Sequence, residues 1–256
     1  MTLKRFAGAV GTIAGFAGFI LGGTLITAPL LHAHDDDKAS NHESRIGQAD
    51  HDDDESSSDA ARIEQGLQIA PVHLTYPKHD RKLVGLGSYF VNAMGECNGC
   101  HSAGPATEYA AGHNPFLRLG PFTPPKTLNP ATYLGGGRDF GQIGPVTSST
   151  VPPHIVSRNL TPDKSGLPEG GAPFAEFYQS IRHGIDHDHL HPNCNGTTIK
   201  TNCFNPPFNG DLLQVMPWPA YQDWTDHDLL AIYEYLKAIP CIQSASEALA
   251  GVHACS

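Results

Sequence analysis

The sequence predicts short helices wrapped in long irregular loops, set behind an N-terminal accessory segment. Gly and Pro, 27 and 21 of 256 residues, are too frequent for long uninterrupted elements yet fall below the level of wholesale disorder. Two stretches, from Asp80 to Met94 and from Thr225 to Ile239, space their apolar residues at helical intervals. With 39% hydrophobic and 16% charged positions, the chain has material for one core of ordinary size plus an accessory segment, and too little for several catalytic domains.

In residues 1–33, Lys4 and Arg5 precede a run that stays free of charge up to Asp35, the pattern of an export signal. The uncharged stretch from Phe6 to Leu31 is long enough to cross a bilayer. An uncleaved membrane anchor is the preferred expectation, a signal cleaved after Ala33 the alternative, and both place the remainder outside the cytoplasm. Residues 34–75 are expected to form a disordered linker rich in His, Asp and Ser: from His34 to Ser58, nine acidic residues face only Lys38 and Arg45. A domain is expected over residues 76–256.

The domain opens on a helical pattern with Asp80 as cap and Leu83, Tyr89, Phe90 and Met94 as apolar positions. Gly85 and Gly87 weaken this helix in isolation, and they make sense if another helix crosses closely, because a missing side chain lets two backbones approach. The C-terminal pattern is the candidate partner: Thr225 as cap, Asp228 three residues later, then Leu229, Ile232, Tyr233, Leu236 and Ile239, with Pro240 as the stop.

Between these helices lies Cys97-Asn98-Gly99-Cys100-His101. Two thiols at this spacing can add across the two vinyl groups of one haem, and the adjacent histidine is then placed to bind the iron. A zinc site would want a second ligand pair at short spacing, and the other cysteines form no further Cys-x-x-Cys. A methionine sulfur commonly binds the opposite face of such an iron. Of the three methionines, Met1 belongs to the export segment and Met94 lies three residues before Cys97, on the proximal side. Met216 remains, in the stiff Val215-Met216-Pro217-Trp218-Pro219 loop, with a histidine as the rival ligand.

With these residues in hand, the chain resembles the class I c-type cytochromes, in particular single-haem periplasmic cytochromes and the cytochrome subunits of bacterial membrane dehydrogenases. The resemblance rests on Gly87 to Phe90 leading into Cys97–His101, on Asn159-Leu160-Thr161-Pro162-Asp163 followed by a helix-like Phe174 to His183, and on Met216-Pro217-Trp218 with the final helix ending at Pro240. It implies an all-α cytochrome c-like domain around one covalent haem c. It also implies an electron-transfer protein rather than an enzyme, with a dehydrogenase as donor and an oxidase or another cytochrome as acceptor. A haem enzyme or gas sensor with a displaceable sixth ligand is the alternative. Met216 follows His101 by 115 positions, so long insertions are expected from Ser102 to about Arg158, with a turn or hairpin at Thr132–Gly137, and from Pro192 to Gln214.

Cys194, Cys203, Cys241 and Cys255 form an even set, for which two disulfides are expected in an exported chain. Local pairing, Cys194 with Cys203 and Cys241 with Cys255, is preferred among three connectivities. His183, His187, His189 and His191 crowd one segment, which reads as a polar loop in preference to a copper or zinc site.

Overall fold

A computed structural model describes residues 49–77, 80–118, 120–143, 154–187, 210–243 and 253–255. The expected export segment or anchor lies outside these described residues, as do Cys194, Cys203, His189, His191 and most of the second insertion.

The frame consists of α1 (Ala49–Ile69), α2 (Arg81–Tyr89) and α7 (Asp226–Ala238), with α2 packed against both others. Gly85 and Gly87 permit this arrangement. A Cβ on Gly87 would lie 1.9 Å from the carbonyl oxygen of Ala231 on α7, and one on Gly85 would lie 2.7 Å from the carbonyl oxygen of Ile63 on α1. Two residues turn about 200° around a helix, so neighbouring glycines serve helices on opposite sides. The expected crossing with the C-terminal helix is therefore present at Gly87. Gly85 instead meets α1, where Gly66 completes the close approach: a Cβ there would lie 1.9 Å from the Gly85 carbonyl oxygen.

This contact corrects the expected domain boundary. The sequence assigns residues 34–75 to a disordered linker, but α1 occupies Ala49–Ile69, and Ile63, Ala70, Val72 and Leu74 pack against the core. The acidic, Ser-rich composition that suggests disorder ends near Ser58, and the apolar residues beyond it have α2 to cover them.

A buried polar network fixes the rotation of α2. Ser88 Oγ donates to the Gly66 carbonyl (2.6 Å), Asn92 Nδ2 donates to Ser88 Oγ (3.1 Å) and to Tyr235 Oη (3.2 Å), and Tyr133 Oη donates to Asn92 Oδ1 (2.6 Å). The two phenol oxygens are 2.8 Å apart. Burial pushes the pKa values of Tyr133 and Tyr235 up, so both remain hydroxyls able to donate.

After Tyr89 the helix widens into a π turn, Phe90–Met94. Glu96 then takes a left-handed conformation (φ 46°) and the chain re-enters a single turn, α3 (Cys97–Cys100). Further along come α4 (Pro105–Glu108), the strands β1 (Asp139–Gln142) and β2 (His154–Val156), the kinked turn α5 (Pro168–Gly171), α6 (Phe174–His183) and a 3₁₀ turn at Trp218–Ala220. The helix expected from Phe174 to His183 is present with those bounds. The C-terminal helix carries the expected box, in which Thr225 Oγ1 accepts from Asp228 N–H and the Asp228 carboxylate accepts from Thr225 N–H. Phe174 and Phe177 of α6 pack on Tyr233 of α7 at ring distances of 5.3 and 5.5 Å.

The all-α expectation needs amending: the chain is mostly helical, with a small antiparallel sheet of β1 and β2 inside the first insertion. The residues from Thr132 form a turn, in which Leu134 and the later Gly136 and Gly137 take positive φ, and β1 begins after it. Cys241 and Cys255 are joined as expected. Among the described residues no helix is long and apolar enough to cross a membrane.

Replacing Gly87 with Ala should lower unfolding stability by about 1–3 kcal/mol, the usual range for forcing extra volume into a packed contact. The check is the urea midpoint at constant slope. An unchanged midpoint would show that the α2–α7 approach is looser than described.

Candidate functional site

The π turn, Gly95 and Glu96 deliver α3 to the wall of an apolar cavity of about 1480 Å³, counting its open mouth. Cys97, Cys100 and His101 line it from this segment, Arg158 and Leu160 from the loop after β2, Phe177 and Ile181 from α6, Met216 from its loop, and Ile232 and Leu236 from α7. The four residues singled out by the sequence, Cys97, Cys100, His101 and Met216, thus share one cavity. Met94, excluded as a ligand by its position, is 56% exposed and contributes nothing to the wall.

His101 is held by one hydrogen bond whose direction is unambiguous. Its Nδ1 lies 2.9 Å from the backbone oxygen of Arg158, and a carbonyl only accepts, so Nδ1 carries the proton. Burial lowers the pKa of the ring and favours its neutral form. The remaining nitrogen, Nε2, keeps its lone pair for a metal, the arrangement in which an outer partner fixes a ligand's tautomer. The carbonyl is itself pinned: a Cβ on Gly136 would sit 2.5 Å from it, and Gly136 N–H donates to the His101 carbonyl at 2.8 Å.

The side chain of Arg158 also lines the cavity, spanning two carboxylates: one NH group pairs with Glu169 Oε1 at 2.7 Å and another with Asp186. All three groups are mostly buried. Sequence reasoning did not find this cluster, because the partners lie 11 and 28 residues away and no spacing rule connects them. The only available signal was the position of Arg158 immediately before Asn159-Leu160-Thr161.

Cys97 and Cys100 are free thiols, not bonded to each other. Burial, and after it the neighbouring Cys100, raises the Cys97 pKa to about 12, so this thiol is protonated at neutral pH. Aromatic rings close the wall beside them: Phe90 and Trp224 are 5.5 Å apart, Trp224 and Tyr221 4.8 Å, and Tyr221 Oη donates to the Gly95 carbonyl at 3.4 Å.

The Met216 loop is held against the C-terminal end of α6. Leu213 N–H donates to the Gly184 carbonyl (2.7 Å), Asp186 N–H to the Asp211 carbonyl (2.9 Å), and Trp218 Nε1 to the Leu213 carbonyl (3.2 Å). Gly184 ends α6 in the left-handed region (φ 70°), and the Trp218 ring lies over it so closely that a Cβ would come within 2.3 Å. Glycine therefore meets two demands at this position, the αL cap and the indole's approach.

Among the described residues, one group brings three metal-capable atoms of His and Cys together: Cys241, His253 and Cys255, within 4.8 Å of one another. Its two sulfurs are consumed in the disulfide. His183 and His187 belong to the described residues; His189 and His191, and with them the reading of the four histidines as a polar loop, lie outside them.

The donor set fits a covalently attached haem: two free thiols and a histidine with an open Nε2 on one turn, and a thioether on another wall of the same apolar space. Comparison with known proteins agrees at a coarse level. Over 160 residues the chain is 29% identical to "Alcohol dehydrogenase (quinone), cytochrome c subunit" of Gluconacetobacter polyoxogenes and equally to the protein of the same name from Komagataeibacter europaeus. The match covers 62% of this chain and 22% of each relative, so the chain spans about a fifth of the length of those proteins. The chain is thus similar, at modest identity, to a cytochrome c subunit of a dehydrogenase. No protein-family model matches it, and no solved structure matches it significantly.

Replacing Gly184 with Ala should expel the Trp218 ring and loosen the Met216 loop. Limited proteolysis should then cut within residues 210–220 several-fold faster than in the parent; equal rates would show that the loop does not depend on this contact.

Proposed function

We propose that this chain is a mono-haem c-type cytochrome carrying single electrons from a periplasmic or membrane dehydrogenase to a downstream acceptor, an oxidase or another cytochrome. The observation that carries the reading is the convergence of Cys97, Cys100, His101 and Met216 on one apolar cavity, although Met216 lies 115 positions after His101. In this reading Cys97 and Cys100 hold one haem c through thioethers, and His101 and Met216 bind its iron. When bound, the haem supplies one-electron chemistry between ferric and ferrous states.

The protein's own part is to hold and shield. The Arg158 carbonyl keeps the proton on His101 Nδ1 and the ring in one orientation. The clasp of Gly184 and Trp218 holds the Met216 loop, and Tyr221 and Trp224 add aromatic surface to the wall beside the two cysteines. The similarity to the cytochrome c subunit of a quinone alcohol dehydrogenase supports a dehydrogenase as donor. The pattern of Lys4 and Arg5 before an uncharged run supports a periplasmic domain, anchored through the N-terminal segment.

The denatured protein, from cells competent in cytochrome maturation, should retain the mass of one haem; a bare chain mass would end the reading. Replacing Met216 with Ala should abolish the sulfur-to-iron absorption band, open the iron to carbon monoxide and lower the potential, with the haem still attached. A parent protein that already binds carbon monoxide rapidly in the reduced state, or a variant with an unchanged spectrum, would instead favour a haem sensor or enzyme with a displaceable sixth ligand.

A further inference from the structure

Arg158 joins three separate parts of the chain at one point on the cavity wall. Its carbonyl accepts from His101 Nδ1 (2.9 Å), and its guanidinium pairs with Glu169 Oε1 (2.7 Å) through one NH group and with Asp186 through another. The side chains of Arg158, Glu169 and Asp186 are 17%, 12% and 11% exposed, and all three residues line the cavity. Each carboxylate is in turn held from behind. Glu169 lies in the left-handed region (φ 53°), a conformation that costs a residue with a side chain and persists where the surroundings impose it. The turn that carries it is tied to α7, where Tyr233 Oη donates to the Ala172 carbonyl (2.9 Å). Asp186 belongs to the seam between the end of α6 and the Met216 loop: its N–H donates to the Asp211 carbonyl (2.9 Å), Ile185 bridges Leu212, and Leu213 N–H donates to the Gly184 carbonyl (2.7 Å).

Stability alone is a poor reason for such a cluster. Taking charged groups out of water is costly, and well-packed apolar side chains often serve stability as well or better. What the cluster supplies is one defined arrangement, because the guanidinium fork is planar and rigid and meets a carboxylate on each arm. Glu169 and Asp186 therefore hold Arg158 from two directions, and with it the backbone oxygen that orients His101. A continuous path of polar contacts results, from His101 to the Arg158 carbonyl, along Arg158 to Asp186, and from the Asp186 N–H to Asp211 in the loop that carries Met216. No other described hydrogen bond or ion pair of His101 leads toward that loop.

We infer that Arg158, Glu169 and Asp186 are positioning residues for both sides of the haem site. The Arg158–Asp186 pair is the strut that keeps the wall holding His101 and the wall carrying Met216 in register, and Glu169 braces the guanidinium in the strut. The inference rests on the reading of His101 and Met216 as the two iron ligands and deepens it: the grip of Met216 depends on a pair of residues that bind no metal.

The test uses the full chain with its haem attached, reduced and mixed with carbon monoxide. Asp186→Asn keeps the shape of the side chain and removes the charge that faces the guanidinium. Its haem should stay attached, while the sulfur-to-iron band weakens and carbon monoxide binds several-fold faster than in the parent. Glu169→Gln, which loosens the brace and leaves the Asp186 pair in place, should move both readouts in the same direction and to a smaller extent. Arg158→Lys keeps the charge and loses the fork; combined with Asp186→Asn it should bind carbon monoxide no faster than the faster of the two single variants, as expected of groups that act through one bond. An unchanged carbon monoxide rate in Asp186→Asn, with only the urea midpoint lowered, overturns the inference and makes the cluster a stability element. A double variant whose rate is the product of the two separate effects overturns it as well. Should Asp186→Asn fail to fold, Glu169→Gln carries the test, and an unchanged rate there has the same consequence. Failure of the ligand reading shows elsewhere, as a Met216→Ala variant with the spectrum of the parent, and it removes the inference along with that reading.

Discussion

The close approach of α2 to α7 at Gly87 is the constraint on which the remaining structure depends. With the Ala231 carbonyl oxygen 1.9 Å from where a Cβ would be, any side chain at Gly87 would push the two helices apart. The same helix meets α1 through Gly85 and Gly66, so α2 is gripped from two sides. Its rotation is set by the buried hydrogen bond of Ser88 to Gly66 and the half-buried bonds of Asn92 with Tyr133 and Tyr235. The segment after α2 inherits this placement. The π turn and the left-handed Glu96 lead from it within a few residues to Cys97, so the position of the helix is transmitted to the cysteine–histidine turn.

The other walls come from far along the chain and are tied to that turn by backbone groups more than by side chains. Arg158 meets His101 through its carbonyl, Gly136 meets both residues through its own N–H and its lack of a Cβ, and the Met216 loop is bonded to α6 through Gly184 and Asp186. A cavity assembled in this way tolerates variation in its apolar lining while keeping its polar groups in register. At Gly66, Gly85, Gly87, Gly136 and Gly184, two backbones, or a backbone and an indole, meet directly.

Much of this was legible in the sequence where the signal was local. The Cys-x-x-Cys-His spacing, the Thr225/Asp228 box and the apolar spacing of α7 each lie within a few residues, and each appears in the structure. Two methionines could be discounted from position alone, which led to Met216. What escaped was non-local. The cluster of Arg158, Glu169 and Asp186 spans 28 residues with no periodicity, and β1 and β2 are too short to show alternation. The start of the folded region was misjudged because composition averages over a window, and the acidic residues before Ser58 masked a helix whose later part has an apolar partner in α2.

The loop that carries Arg158 and Leu160 is fastened by residues much later in the chain. Asn159 Nδ2 donates to the Ile242 carbonyl, Ile242 N–H donates to Thr161 Oγ1, His253 Nε2 lies 3.3 Å from Thr161 Oγ1, and Lys164 N–H reaches the Ala254 carbonyl. Cys241 and Cys255 tie these late residues into one unit, so the wall that positions His101 hangs on a bond that no residue of the cavity itself makes.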